Sequence, residues 1–84
     1  MGGTVGVLFK VYPEEEQDAE ELAKRIKSEL GAAGVSFDEI GFGIKIVKAF
    51  FKFEDKATTS MEIEEKLKKV KGVSEVEVME ESLL

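Results

Sequence analysis

The 84-residue chain is 43% hydrophobic and 36% charged, enough apolar material for one small folded domain and too much for a disordered one. It has no cysteine and no histidine, which removes disulfide bridges, most nucleophiles and most transition-metal ligands. A formal charge of -6 opposes generic attraction to nucleic acid, and no apolar run reaches the length that spans a bilayer.

Met1-Gly2-Gly3 leads directly into a strand without a signal-peptide pattern, so a cytoplasmic protein is expected. Thr4 to Tyr12 alternates, with Val5, Val7, Phe9 and Val11 on one face and Leu8, Lys10 and Tyr12 on the other, as in a half-buried strand. Pro13 stops it, and Glu14 to Glu16 read as the acidic first turn of a helix. Ala19, Leu22, Ala23, Ile26 and Leu30 form that helix's apolar stripe, and Gly31 suits its end. Val35 to Ile40 reads as a short strand with Val35 and Phe37 inward. Gly41-Phe42-Gly43 then reverses the chain into a long strand, Ile44 to Glu54. Val47, Ala49, Phe51 and Phe53 make its core face; Ile44, Ile46, Lys48, Phe50 and Lys52 make the other.

After a loop at Asp55 to Thr58, the pair Thr59 and Glu62 resembles a capping box opening a second helix. Ile63, Leu67 and Val70 point inward from it, lysines crowd its last turns, and Gly72 is expected to end it. Val73 to Glu80 is the last strand, with Val76 and Val78 inward and Glu75, Glu77 and Met79 outward. No linker or low-complexity tract interrupts residues 1–84, so a single domain is expected.

The order is β-α-β-β-α-β. Two helices of this length cover one face of four strands, and right-handed crossovers then give a ferredoxin-like α+β sandwich: a four-stranded antiparallel sheet with both helices on one face. The first and third strands should be central and the fourth should lie beside the first, bringing Glu75 and Glu77 within reach of Lys10. The other sheet face stays open. Its apolar members, Leu8, Ile44, Ile46, Phe50 and Met79, are compatible with ordinary surface residues shielded by lysine stems or with a self-association patch, and a monomer or weak dimer is expected.

RNA-recognition motifs share this topology, but only Phe50 offers a ring on the open face, and the net charge has the wrong sign for direct nucleic-acid binding. The carboxylates sit on solvated helix faces with no partner base in a cleft, so nothing supports an enzyme. A binding module without cofactor or metal is the better class.

The turn Ile40-Gly41-Phe42-Gly43-Ile44-Lys45 carries the most information. Glycines on both sides free the backbone and leave the ring few local neighbours, so Phe42 is either folded back on its own core or offered to another molecule. With the apolar strand that ends in Glu54-Asp55, this hexapeptide resembles the signature of the guanine-nucleotide-exchange domain of translation elongation factor 1-beta. Tyr12-Pro13, the acidic helix and Gly72-Val73-Ser74-Glu75-Val76 fall in the matching order, so the resemblance covers essentially the whole chain. The short length is similar to the stand-alone archaeal form.

The resemblance implies a non-catalytic guanine nucleotide exchange factor that promotes GDP release from the GTPase elongation factor 1-alpha. It implies partner contacts at Ile40, Gly41, Phe42, Gly43 and Lys45. Phe42 would enter a pocket on the GTPase, Gly41 and Gly43 would present the ring, and Lys45 belongs to the motif. Eukaryotic members place a lysine next to their last residue, implied to intrude on the magnesium site; Leu83 stands there in this chain. Leucine supplies no cation, so either magnesium is displaced indirectly through the GTPase's own switch elements or another group does the work, and Phe42 is expected to carry more of it.

Overall fold

The computed structural model describes residues 3–54 and 60–83. The elements are β1 (Thr4–Pro13), α1 (Ala19–Leu30), β2 (Gly34–Glu39), β3 (Lys45–Glu54), α2 (Ser60–Lys68) and β4 (Val73–Leu83). They form one antiparallel sheet in the order β2-β3-β1-β4, with β1 and β3 central as the sequence order predicts. Both helices lay their apolar stripes on the same sheet face. Leu22, Ala23 and Ile26 of α1 and Ile63 and Leu67 of α2 share a buried cluster with Val5, Val7, Phe9, Val11, Val47, Ala49 and Phe51. At its centre the Phe9 and Phe51 rings meet edge to face, with centroids 5.8 Å apart.

Local chemistry moves several expected boundaries. Helix α1 starts at Ala19, not at Glu14, because Asp18 caps it: its Oδ1 accepts the Glu20 N–H at 3.3 Å. Glu14 to Glu16 lie in the preceding turn, and the first-turn acids are Glu20 and Glu21. Gly31 ends α1 in the left-handed conformation, its N–H bonded to the Lys27 carbonyl. Gly72 does not end α2. That helix stops at Lys68, the chain tightens through short turns, and Gly72 (φ 94) redirects it into β4. Thr59, half of the expected capping box, lies outside the described residues.

Several side chains depart from their expected environment. Phe37 lies opposite Val47 and so on the helix side, yet it is 45% exposed, because β2 is an edge strand. Phe53 is half-buried against the core instead of within it. Ile46, expected on the open face, is fully buried. It sits on the central strand β3 opposite Asp38, beside the Asp38–Lys48 ion pair (3.5 Å) and next to Val47, which pairs with Val11 of β1.

Strand β4 runs on to Leu83, past the expected Glu80, through a bulge. Leu8 pairs with Glu80 but Phe9 with Val78, leaving Met79 as the extra residue. The bulge lies on a sheet edge, and Val78 is accordingly 39% exposed although it lies opposite the buried Phe9. Glu77 stands opposite Lys10, as expected, and Glu75 opposite Tyr12, whose hydroxyl donates to Glu77 Oε2 at 3.5 Å.

Candidate functional site

Antiparallel pairing brings three connections to one end of the sheet. Strand β1 finishes at Pro13 where β3 begins, since Val11 pairs with Val47; on the other side Pro13 pairs with Val73, the first residue of β4. The β2–β3 hairpin, the β1–α1 loop and the α2–β4 turn therefore share that end. The hairpin projects from it.

Its backbone is set by three successive residues of positive φ: Gly41 at 109°, Phe42 at 54° and Gly43 at 75°. Two hydrogen bonds close the reversal, Ile40 N–H to the Ile44 carbonyl at 2.9 Å and Ile44 N–H to the Gly41 carbonyl at 3.0 Å. Phe42 and Gly43 thus occupy the centre of a turn with positive φ at both positions, the pattern of a type I′ reversal. Glycine adopts that geometry freely. Phenylalanine does not: the left-handed region costs a residue with a Cβ about 1–2 kcal/mol. No other non-glycine among the described residues has a positive φ.

The strained residue is also the most exposed large hydrophobic one. Phe42 is 104% accessible, so its ring touches nothing of its own chain. Of the two environments the sequence left open, this is the presented one. Ile40 and Ile44 beneath it are half exposed, at 50% and 53%, and form an apolar collar at the hairpin's base. Lys45 is exposed and pairs with Glu39 where the strands begin. The five candidate residues Ile40, Gly41, Phe42, Gly43 and Lys45 therefore form one contiguous projection.

Beside the hairpin lies a cleft of about 470 Å³. Pro13, Glu14, Glu15, Gln17, Asp18 and Ala19 form one wall; Gly43, Ile44 and Lys45 form the other. The proximity of this acidic loop to the tip escaped the residue-by-residue reading. The signal for it was topological, because antiparallel central strands oblige the end of β1 and the start of β3 to coincide. No group of acidic side chains among the described residues is arranged to hold a metal ion, and no described helix is long and apolar enough to cross a membrane. On the open sheet face Ile46 is buried, and Leu8 and Phe50 are half-buried, so that face offers less free apolar area than the sequence implied.

Residues 6–84 match the family model of the EF-1 guanine nucleotide exchange domain. The chain belongs to this family. It is similar over nearly its whole length to proteins called elongation factor 1-beta: 32% identical to that of Methanoculleus marisnigri, over 98% of this chain and 99% of the relative. It is 40% identical to that of Aeropyrum pernix, over 88% and 89%, and 35% identical to that of Methanoregula boonei, over 99% of each. The family, expected from the hexapeptide and the order of elements, and its archaeal type, expected from the short length, are thereby established. A nucleotide-exchange domain acts on another protein's nucleotide and makes no covalent bond itself, in keeping with a chain that is not an enzyme.

Proposed function

We propose that this protein promotes release of GDP from translation elongation factor 1-alpha during protein synthesis in the cytoplasm, and that the Phe42 hairpin is its lever. One observation carries the reading: a fully exposed phenylalanine ring held at a strained positive φ between two glycines, in a chain of an exchange-domain family. Backbone strain kept at an exposed site is repaid by no contact within the fold, and such strain clusters where a partner is met.

The mechanism is linkage. A protein that binds the nucleotide-free GTPase more tightly than the nucleotide-bound form weakens nucleotide binding by the same factor. A hundredfold difference corresponds to about 2.7 kcal/mol, and burial of one phenylalanine side chain supplies about 1.5–3 kcal/mol. Phe42 enters a hydrophobic pocket of the GTPase, Ile40 and Ile44 form the apolar rim, and Gly41 and Gly43 let the two backbones approach. Lys45 adds a charge at the edge of the contact. The chain brings no cofactor and performs no covalent step.

The test is release of a fluorescent GDP analogue from the cognate elongation factor 1-alpha. The wild-type chain should accelerate release, and Phe42→Ala should lose most of the acceleration while keeping the same unfolding transition. Equal acceleration by Phe42→Ala would overturn the role given to the ring, and no acceleration by the wild type would overturn the function.

A further inference from the structure

The β1–α1 loop that walls the cleft is tied down by a latch built on Arg25, the chain's one arginine. From α1, the Arg25 guanidinium reaches two acceptors. Its Nη1 donates to Gln17 Oε1 in the loop at 3.3 Å, and also to the backbone carbonyl of Lys71 in the α2–β4 turn. Gln17 in turn lies over Gly72. A Cβ on that glycine would sit 2.7 Å from the Gln17 Cδ and 2.9 Å from its Cγ, so any larger residue would displace the Gln17 side chain from this position. Glu14 N–H donates to the Gly72 carbonyl at 2.8 Å, closing the loop onto the turn from its other end.

These contacts join segments far apart in sequence, and they converge on residues that no core packing fixes: Glu14 is exposed and Gln17 only half-buried. A planar guanidinium serves two acceptors in fixed directions, whereas a lysine ammonium is a rotating point donor. The loop it secures faces Gly43, Ile44 and Lys45 across the cleft, immediately beside the docking tip.

We propose that Arg25 is a positioning residue for the hairpin-end docking surface. Through Gln17 and the Lys71 carbonyl it holds the β1–α1 loop in place before the partner arrives, so the cleft wall beside Phe42 is not ordered at the expense of binding. The proposal rests on the exchange reading above. It divides the labour: Phe42 sets how far nucleotide binding is weakened, and Arg25 sets how much of the protein is needed to reach that effect.

Nucleotide release measured against concentration separates the two. Arg25→Ala should raise the half-saturating concentration roughly three- to tenfold, the loss of one or two hydrogen bonds' worth of preorganisation, with the plateau rate unchanged. Phe42→Ala should lower the plateau. Arg25→Lys should recover part of the affinity, because one donor remains. Gln17→Ala, which removes a half-buried polar side chain and leaves the core untouched, should shift half-saturation in the same direction by less. Hydrogen exchange should show faster exchange at the Glu14 amide in Arg25→Ala. Half-saturation at the wild-type concentration in both Arg25→Ala and Gln17→Ala overturns the proposal, as does a plateau that falls with the folded fraction. Either result leaves the Phe42 reading intact, and a wild type that releases no nucleotide defeats that reading first.

Discussion

Phe42 and Leu83 lie at opposite ends of the sheet. Leu83 pairs with Val5 at the start of β1, and the hairpin that carries Phe42 springs from the level of Val11 and Val47 near its end. A strand rise of about 3.3 Å per residue separates the two ends of β1 by about 30 Å, in a molecule 45 Å long. A side chain at position 83 therefore acts at a place the Phe42 ring does not reach. Leu83, which the resemblance sets against a lysine of eukaryotic members, therefore lies outside the surface that the hairpin presents.

Leu83→Ala tests that separation. Leu83 is 72% exposed, and its side chain lies against the backbone of Gly3, where an added Cβ would stand 2.7 Å from Leu83 Cδ2. Truncation should cost less than about 0.5 kcal/mol, as for surface positions generally. Exchange should stay within about twofold of wild type in the fluorescent-nucleotide assay, since one or two methyl contacts at a mostly solvated site are worth little. A tenfold loss would show that the far end also grips the GTPase.

Phe42→Asn should make the protein more stable and less active. Asparagine tolerates the left-handed region and, followed by Gly43, forms the Asn-Gly pair preferred in type I′ hairpins. Relief of the strain at φ 54° should stabilise the fold by about 0.5–1 kcal/mol. For a domain of this size that raises the melting temperature by several degrees, while nucleotide release falls to the level of Phe42→Ala. A destabilised Phe42→Asn would mean that the ring supports its own fold.

The order of elements, the central pair of strands and the helix stripes were all legible, because periods of two and of three to four residues report burial directly. Val5, Val7, Phe9 and Val11 are inward as their alternation requires. Alternation failed where burial depends on position in the sheet: Phe37 alternates correctly but stands on an edge, while Ile46 points to the open face from a central strand and is covered by its neighbours. Helix α1 began late because a single cap, Asp18, outweighed three glutamates of suitable charge. The hairpin was readable as a motif, but its three positive φ angles and the full exposure of Phe42 are tertiary facts. The latch of Arg25, Gln17 and Gly72 left no local mark, since Arg25 and its Lys71 acceptor are 46 residues apart.

Phe9→Ala should come close to abolishing folding. The ring is fully buried in the core cluster that both helices share with the sheet, and it meets Phe51 edge to face. Phenylalanine-to-alanine changes in cores cost about 3–5 kcal/mol, a large share of the roughly 5–15 kcal/mol that stabilises a typical domain. Urea unfolding should show the midpoint falling to a small fraction of the wild-type value with an unchanged slope.

Ile44→Asp and Ile46→Asp, two residues apart on one face of the hairpin arm, should fail in different ways. Ile44 is 53% exposed beside the tip, so a carboxylate there stays hydrated and the fold should keep its stability within about 0.5 kcal/mol. The same charge placed on the apolar rim would have to be desolvated when the partner docks, and exchange at fixed concentration should fall by roughly tenfold or more. Ile46 has no exposed surface, so a carboxylate introduced there would be buried, with the exposed carboxylate of Asp38 directly opposite and Lys48 already paired to Asp38. The expected result is a loss of about 3 kcal/mol or more in stability, seen as early unfolding in denaturant before any exchange assay is run. If Ile46→Asp folds like wild type, the open face is more solvated than its burial indicates. If Ile44→Asp exchanges normally, the contact is confined to the Phe42 ring and the apolar collar takes no part in it.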